Sequence, residues 1–538
     1  MTERRAGLPA GRLAAAGMSL AAGAGAALAF PPFGALPGLL GYALLLGLWD
    51  RAGGGRPLRS AFWRGWLAGS AYFLICTWWV AEAFLVDAKN QGWMAPFAVA
   101  LLAAGLGLFW GAAGALYAWL KPRALGRILV FAGCFCLLEW LRGHLLTGFP
   151  WDLAGETWRA GSAPSQAASL VGSYGLGWIT VAVGAAPALL LDRDRRRDGP
   201  IAVGLAAVIV AGLYGFGLAR LAHAPAPAPN APWVRVVQAD VDQSSKYDEA
   251  LFRSIVERYV TLTARPSTAR LAGRAPDIVI WPEGAIPAAV NDYLAPDTWT
   301  RAAITAALQP GQTLLLGAYR VDGPLAKPVY YNALLGLRRQ ADRLELIGVY
   351  DKFRLVPFGE FLPLESLLGP LGIKDLVHVG DGFTAGPRPR PMAPGGLPSF
   401  QPLICYESLF PGFVREGSRA GGRPAWIVNI SNDAWFGRSS GPWQHLNLAS
   451  YRAIEEGLPI VRATPTGVSA VIDAFGRIQP GARLGPGAMN VIDTPLPPAL
   501  SVTPFSRAGE LFFGLMMSLS AVIALIGRSA SLKSVKPD

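Results

Sequence analysis

The chain has 538 residues, of which 52% are hydrophobic and only 16% charged, and its formal net charge is +12. Soluble globular chains carry about 25% charged residues, so this composition excludes a disordered protein, a coiled coil and an ordinary cytosolic enzyme. Four cysteines (Cys76, Cys134, Cys136, Cys405) are too few for a disulfide scaffold, and the four histidines stand too far apart for zinc spacing.

Taken in chain order, seven apolar stretches fill the first part of the sequence: 10–30, 35–49, 62–84, 93–120, 128–146, 167–191 and 201–221. Most are near the ~20 residues that cross a bilayer as a helix. The first follows Arg4, Arg5 and Arg12, which suits a signal peptide or a first span. A second apolar run begins almost at once, after Pro31, Pro32 and Pro37, and favours the span. An eighth stretch lies at 511–526. The basic residues collect in alternate connections: Arg51, Arg56, Arg59 and Arg64, then Lys121, Arg123 and Arg127, then Arg193, Arg195, Arg196 and Arg197, and finally Arg528, Lys533 and Lys536. This is the positive-inside pattern and predicts both termini in the cytoplasm. The positive charge is thereby a topology signal. With neither a helix-turn-helix, an RRM nor a zinc-finger pattern present, no nucleic-acid partner is expected.

The expected organisation is a membrane domain of seven transmembrane helices over 1–222, a Pro-rich linker over 223–232, an outward-facing soluble α/β domain over 233–500, and an eighth transmembrane helix with a cytoplasmic tail over 501–538. In a Gram-negative cell the outward compartment is the periplasm. Within the soluble part, short apolar runs predict buried strands at 234–237, 277–281, 313–319, 344–350, 402–405, 426–430 and 458–463. Helical patterns fall at 249–263, 297–308 and 443–456, and hairpin-like material at 467–478.

Three ionisable residues stand at or just past predicted strand ends: Glu283 in Ile-Val-Ile-Trp-Pro-Glu, Lys352 in Gly-Val-Tyr-Asp-Lys, and Cys405 in Pro-Leu-Ile-Cys-Tyr-Glu. Ligands gather outside the carboxyl ends of strands in open α/β sheets. Glu283 or Lys352 alone reads more simply as a solvated strand-end residue. Cys405 changes the balance, because the other three cysteines lie in predicted membrane helices and a lone thiol is a liability in an oxidising compartment. A carboxylate can take the thiol proton, and a lysine ammonium can lower the thiol pKa and hold an oxyanion. The N–H of Tyr406, next to the nucleophile, is a second candidate oxyanion donor. These residues alone suit an acyl-transfer enzyme or a membrane-tethered amidase acting on a small soluble molecule. They leave room too for a transporter or receptor whose Cys, Glu and Lys meet by accident.

The segments Trp-Pro-Glu-Gly-Ala-Ile-Pro, Asp-Lys-Phe-Arg-Leu-Val-Pro-Phe-Gly-Glu-Phe-Leu-Pro and Ile-Cys-Tyr-Glu resemble the three signatures of the nitrilase, or carbon–nitrogen hydrolase, superfamily. The stretches at 139–143, 147–151, 431–437 and 441–445 narrow the resemblance to the apolipoprotein N-acyltransferases, over nearly the whole chain. That resemblance implies a multi-pass α-helical membrane protein of about eight spans with an inserted αββα sandwich. It implies transfer of an acyl chain from the sn-1 position of a phospholipid to the α-amine of a diacylglyceryl-cysteine on an apolipoprotein, completing lipoprotein maturation. Glu283, Lys352 and Cys405 then match the catalytic residues, and Glu360, Tyr406 and Glu407 match supporting positions. No cofactor or metal is expected, the partners are the phospholipid donor, the diacylglyceryl apolipoprotein and the membrane, and the chain is expected as a monomer. Tyr247 stands where relatives can have Trp, a departure that touches packing and not the reaction.

Other residues carry weaker expectations. Glu139 and Arg142 read equally as a neutralising pair in a membrane helix and as a headgroup contact. Asn432 and Asp433 read as turn residues, Trp435 as a possible cleft wall, and His445 as a poor catalytic candidate beside a carboxylate base. The apolar run 361–377 reads as a lid dipping into the bilayer, with a core helix as the alternative.

Overall fold

The computed structural model describes residues 11–53, 55–120, 124–192, 196–267, 275–324, 326–363, 382–393 and 395–533. The expected lid lies outside the described residues from 364 onward, as do Arg4, Arg5, Lys121, Arg123, Arg193, Arg195 and Lys536 of the basic connections. The chain divides into two compact units, Met1–His223 with Arg507–Asp538, and Ala224–Ser506.

In the first unit a helix passes through each of the eight apolar stretches: Arg12–Ala29, Leu40–Asp50, Pro57–Cys76, Ala95–Leu120, Gly126–His144, Ala168–Ala185, Asp198–Leu221 and Leu511–Lys533. Among the described residues, four helical segments are long and apolar enough to cross a membrane unaided: Arg12–Ala29, Ala88–Leu120, Pro164–Leu191 and Asp198–Leu221. A fifth results if Pro57–Cys76 and Trp78–Leu85, bent by 56°, act as one span. The eight expected spans are therefore not all reached on length and hydropathy. Leu36–Asp50 and Leu511–Gly527 are too short, and Gly126–His144 carries Arg127, Glu139 and Arg142.

Small residues let these helices approach. A Cβ on Gly65 would lie 2.3 Å from the Trp110 carbonyl oxygen, and one on Gly107 would lie 2.7 Å from Ser70 Oγ. Lipid tails offer no hydrophobic drive between helices, so close packing of this kind supplies the association. Glu139 and Arg142 are both buried. Arg142 Nη1 donates to the carbonyls of Phe149 and Trp151 at 2.6 Å each, and the Glu139 carboxylate accepts from the Ala154 N–H at 3.1 Å. The pair pins the loop after its own helix, which favours the structural reading over a headgroup contact.

Among its described residues the second unit contains eleven strands: β1 Trp233–Ala239, β2 Ile278–Trp281, β3 Thr313–Asp322, β4 Val329–Gln340, β5 Arg343–Asp351, β6 Phe400–Ile404, β7 Trp426–Ile430, β8 Ile460–Ala463, β9 Ser469–Ile472, β10 Ile478–Leu484 and β11 Met489–Pro495. They form a six-stranded sheet, β11-β1-β2-β3-β4-β5, and a five-stranded sheet, β10-β9-β8-β7-β6. Alternation of side chains sorts the residues into layers. Val234 and Val236 of β1, Ile278 and Ile280 of β2, and Leu315 of β3 join Phe400, Ile404, Val428 and Val461 in one core between the sheets. Their neighbours Val237, Val279, Trp281, Leu314 and Leu316 face the other way and pack on Ile255, Tyr259, Leu262 and Ile304 of the helices Phe252–Ala264 and Trp299–Ala307. The helix Phe413–Gly421 packs on the outer side of β6, and Gly441–Glu456 lies beside it. The layers are helix, sheet, sheet, helix.

Strand β4 was not among the runs expected from sequence, and it decides the site. It runs antiparallel to β3, and β5 runs antiparallel to β4, so β5 points the same way as β1, β2 and β3. The carboxyl ends of β2 and β5 thereby lie on one edge of the sheet.

Candidate active site

Glu283 follows β2 after Pro282, whose missing N–H ends the ladder. Lys352 follows β5. Its N–H donates to the Asn332 carbonyl at 2.8 Å, which extends the β4–β5 pairing by one residue. Alternation then places its side chain on the face of Tyr350, toward the second sheet. Cys405 follows β6 with φ +51°. Regular alternation would turn it away from the face of Ile404. The left-handed backbone instead keeps both residues in the core between the sheets. Such a conformation costs on the order of 1–3 kcal/mol in a non-glycine residue and persists only where neighbours hold it.

The holding groups are visible. Glu407 Oε2 accepts from the Ile404 N–H at 2.8 Å, while its Oε1 accepts from the Phe353 N–H at 2.7 Å and the Tyr350 hydroxyl at 3.0 Å. Glu407 thus ties the cysteine turn to the segment just after Lys352. Burial pushes its carboxyl up to about 7 against the pull of those backbone donors. Ser408 Oγ donates to the Cys405 carbonyl at 2.8 Å. Behind them, Asp433 accepts from both Arg462 Nη2 at 2.8 Å and His445 Nδ1 at 3.0 Å. Burial, reinforced by Arg462, keeps His445 neutral. Its Nδ1 proton is committed to Asp433, and its Nε2 faces Ser408 Oγ at 3.1 Å. His445 is thus anchored on Asp433 and lies beside the turn.

Glu283, Lys352 and Glu360 meet directly. Lys352 Nζ donates to Glu283 Oε1 at 3.2 Å and to Glu360 Oε1 at 2.9 Å. Asn332 Nδ2 donates to the same two carboxylates, at 2.6 and 2.8 Å. The remaining oxygens accept backbone N–H groups: Glu283 Oε2 from Asn432 at 2.7 Å, and Glu360 Oε2 from Val356 at 2.8 Å. Burial alone would raise the Glu283 pKa, but Lys352, Asn332 and Asn432 outweigh it and hold the carboxyl below its ordinary value. Desolvation works against the Lys352 ammonium too, yet Glu283 and Glu360 raise its pKa well above that of a free lysine. Cys405 lies within the field of both: burial first, then Glu283, push its thiol up to about 12, with Lys352 opposing. At neutral pH the resting site holds a thiol at Cys405, a carboxylate at Glu283 and an ammonium at Lys352.

Tyr406 is buried, with its ring edge-on to Phe410 at 5.2 Å. Trp435 is half-buried in the turn after β7. Sequence reasoning missed Asn332, which lies in the unrecognised β4, and undervalued Asn432 and Asp433 as mere turn residues. Among the described residues no group of His, Cys, Asp and Glu is arranged to hold a metal ion.

Comparison with known proteins bears on the chain as a whole. The apolipoprotein N-acyltransferase N-terminal domain matches residues 22–186, and the carbon-nitrogen hydrolase family matches residues 234–501. The apolipoprotein N-acyltransferase of Caulobacter vibrioides is 56% identical over 96% of this chain and 95% of its own length. The chain belongs to the apolipoprotein N-acyltransferase family. The member from Rhizobium rhizogenes is 38% identical over 96% of both chains. Among solved structures, an amidase from Nesterenkonia sp. aligns at a TM-score of 0.33 and 16% identity, over 50% of this chain and 93% of that one. Membership of this family makes the protein an acyltransferase with a nitrilase-like α/β domain.

Proposed function

We propose that this acyltransferase moves an acyl chain from the sn-1 position of a phospholipid to the N-terminal α-amine of a diacylglyceryl apolipoprotein, through a thioester on Cys405. The reading rests on full-length similarity to the family, with Glu283, Lys352 and Cys405 at three strand ends of its carbon–nitrogen hydrolase part. The thiol holds its proton far more tightly than Glu283 would. A preformed thiolate is therefore scarce, and proton transfer to Glu283 accompanies attack of sulfur on the ester carbonyl. Lys352 and the Tyr406 N–H face the developing oxyanion. The S–C bond forms, the ester C–O bond breaks, and Glu283 returns the proton to the lysophospholipid leaving group. In the second half the amine attacks the thioester, Glu283 accepts its proton, the N–C bond forms and the S–C bond breaks, and the proton returns to sulfur. Glu360, Glu407 and Asn332 position these groups. A monomer suffices, because every group named belongs to one chain.

The topology is part of the same proposal. Eight spans, both termini in the cytoplasm and the α/β unit in the periplasm suit the basic connections. Both substrates are lipids, and confinement to one surface raises their effective concentration. A reporter fused at Gly395 is expected to read as periplasmic and one at Arg195 as cytoplasmic; the reverse pattern would sink the compartment assignment.

The direct test of the chemistry is mass spectrometry of the purified protein after incubation with phospholipid alone. Acylated Cys405 should approach one equivalent per site with release of lysophospholipid, and a diacylglyceryl-cysteinyl peptide with a free amine should discharge it. The same peptide with its amine acetylated should not. An adduct that forms only when both substrates are present would overturn the covalent order. No adduct with any ester would favour a binding protein, and an adduct only with small amides would favour an amidase.

A further inference from the structure

Lys246 lies in the turn Ser244–Tyr247, just after β1, and is joined to the active site by a chain of hydrogen bonds. Its N–H donates to the Gln243 carbonyl at 3.2 Å, Gln243 Oε1 accepts from Asn432 Nδ2 at 2.9 Å, and the Asn432 N–H donates to Glu283. The ammonium itself is closed off from solvent and has no hydrogen-bond partner among the described residues. A Cβ built on Gly284, the residue after Glu283, would sit 3.5 Å from Lys246 Nζ. Glu283 does not pair with it: both carboxylate oxygens are bonded to Lys352, Asn332 and the Asn432 N–H.

A buried ammonium without a partner is costly, and proteins keep such groups paired. Burial pulls its pKa down to about 8, with only the charge of Glu283 opposing. An ester carbonyl would offer it one hydrogen bond and leave the charge uncompensated. A phosphodiester offers both an acceptor oxygen and a negative charge. In a glycerophospholipid the phosphate lies a short three-carbon backbone away from the sn-1 ester, so a lipid presenting that ester to the cysteine carries its phosphate close to the groups around Glu283, of which Lys246 Nζ is one. We propose that Lys246 binds the phosphodiester of the acyl donor and selects phospholipids over neutral glycerolipids. This deepens, and rests on, the acyl-transfer reading above.

The experiment compares two donors with the same acyl chains, phosphatidylethanolamine and diacylglycerol, and reads the rate of Cys405 acylation against donor concentration. A p-nitrophenyl ester burst counts competent sites in each protein. The wild type should favour the phospholipid. Lys246→Met should lower the phospholipid rate about 10–100-fold, the size expected for one charge-assisted contact, mainly through a weaker apparent affinity. The diacylglycerol rate should fall far less, so the preference collapses, and Lys246→Arg should restore much of it. Equal losses on both donors at an unchanged burst would overturn the assignment and mark Lys246 as a counter-ion of the carboxylates. A loss of burst in the Met variant alone, with the Arg variant showing no donor preference, would overturn it too. A wild type acylated by neither lipid would sink the acyl-transfer reading itself, a result separable from the failure of the lysine alone.

Discussion

Cys405→Ala should leave no acyl-enzyme, and Glu283→Gln should slow acylation and transfer alike by about 10²–10⁴-fold, the usual range for loss of a positioned acid–base group. The equal effect on both half-reactions follows from there being one base. Glu283 is the carboxylate whose pKa is held low while it shares Lys352 with Glu360. The glutamine keeps the acceptor oxygen that faces Asn332 and Lys352, so the site stays assembled and only the proton carrier is lost. Its amide would, however, face the Asn432 N–H that now donates to Glu283 Oε2, so a modest loss of stability is expected as well. Single-turnover rates for each half-reaction check this. A variant slowed in one half only would show that two different groups carry the proton.

Lys352→Met should be the most damaging change that leaves the cysteine in place. Its ammonium lies against two carboxylates at 3.2 and 2.9 Å, in side chains that are 1%, 9% and 11% exposed. Breaking a buried pair by removing one partner costs about 3–5 kcal/mol, because the remaining charge is stranded. Loss of an oxyanion donor adds about 10²–10³ in rate. A third effect separates this from simple unfolding. In the wild type Lys352 helps to hold the Glu283 pKa below its ordinary value; without it, burial is less opposed and the Glu283 pKa rises. The residual acylation rate of the variant should then climb with pH across a range where the wild type is already flat.

Linkage runs in opposite directions in the two proteins. The depressed wild-type pKa contributes stability that is present above about pH 4.3 and lost as pH falls through the folded value. A raised pKa in the variant contributes stability that is present below that pH and lost as pH rises through the new folded value. Acylation by p-nitrophenyl ester, whose leaving group needs no acid, read beside thermal melts from pH 4 to 8, tests both. A residual rate with the pH profile of the wild type would show that Lys352 does not govern the ionisation of Glu283.

Much of this protein can be read from its sequence, because the signals are local. The apolar stretches follow from composition, and a helix passes through each of them. The strands β1, β2, β3, β5, β6, β7 and β8 follow from short runs of apolar residues, although β5, expected to be buried, is largely exposed at the edge of its sheet. Strand β4 does not announce itself: Tyr330, Tyr331, Asn332, Gly336, Arg338 and Arg339 break both the apolar run and the alternation. It forms because β3 and β5 pair with it on either side. That pairing also turns β5 around, so the position of Lys352 beside Glu283 depended on a strand the sequence pattern did not reveal.

Glu283, Lys352 and Cys405 could be picked out as candidates from the sequence, since each stands at a strand end and the cysteine is the only one outside the apolar stretches. What each does could not be read there. Glu283, Glu360 and Glu407 are the same residue type within one site, yet Lys352 bonds the first two while Glu407 is turned to backbone N–H groups. Burial costs and hydrogen-bond partners exist only after residues 49, 28 and 149 positions apart have been brought together. The sequence alone determined which groups were available, through composition and the spacing of apolar residues. The tertiary structure decided which carboxylates meet Lys352, which one is turned to the backbone of the cysteine turn, and that the Lys246 ammonium has no hydrogen-bond partner among the described residues, because desolvation and charge pairing act across space and have no local sequence signature.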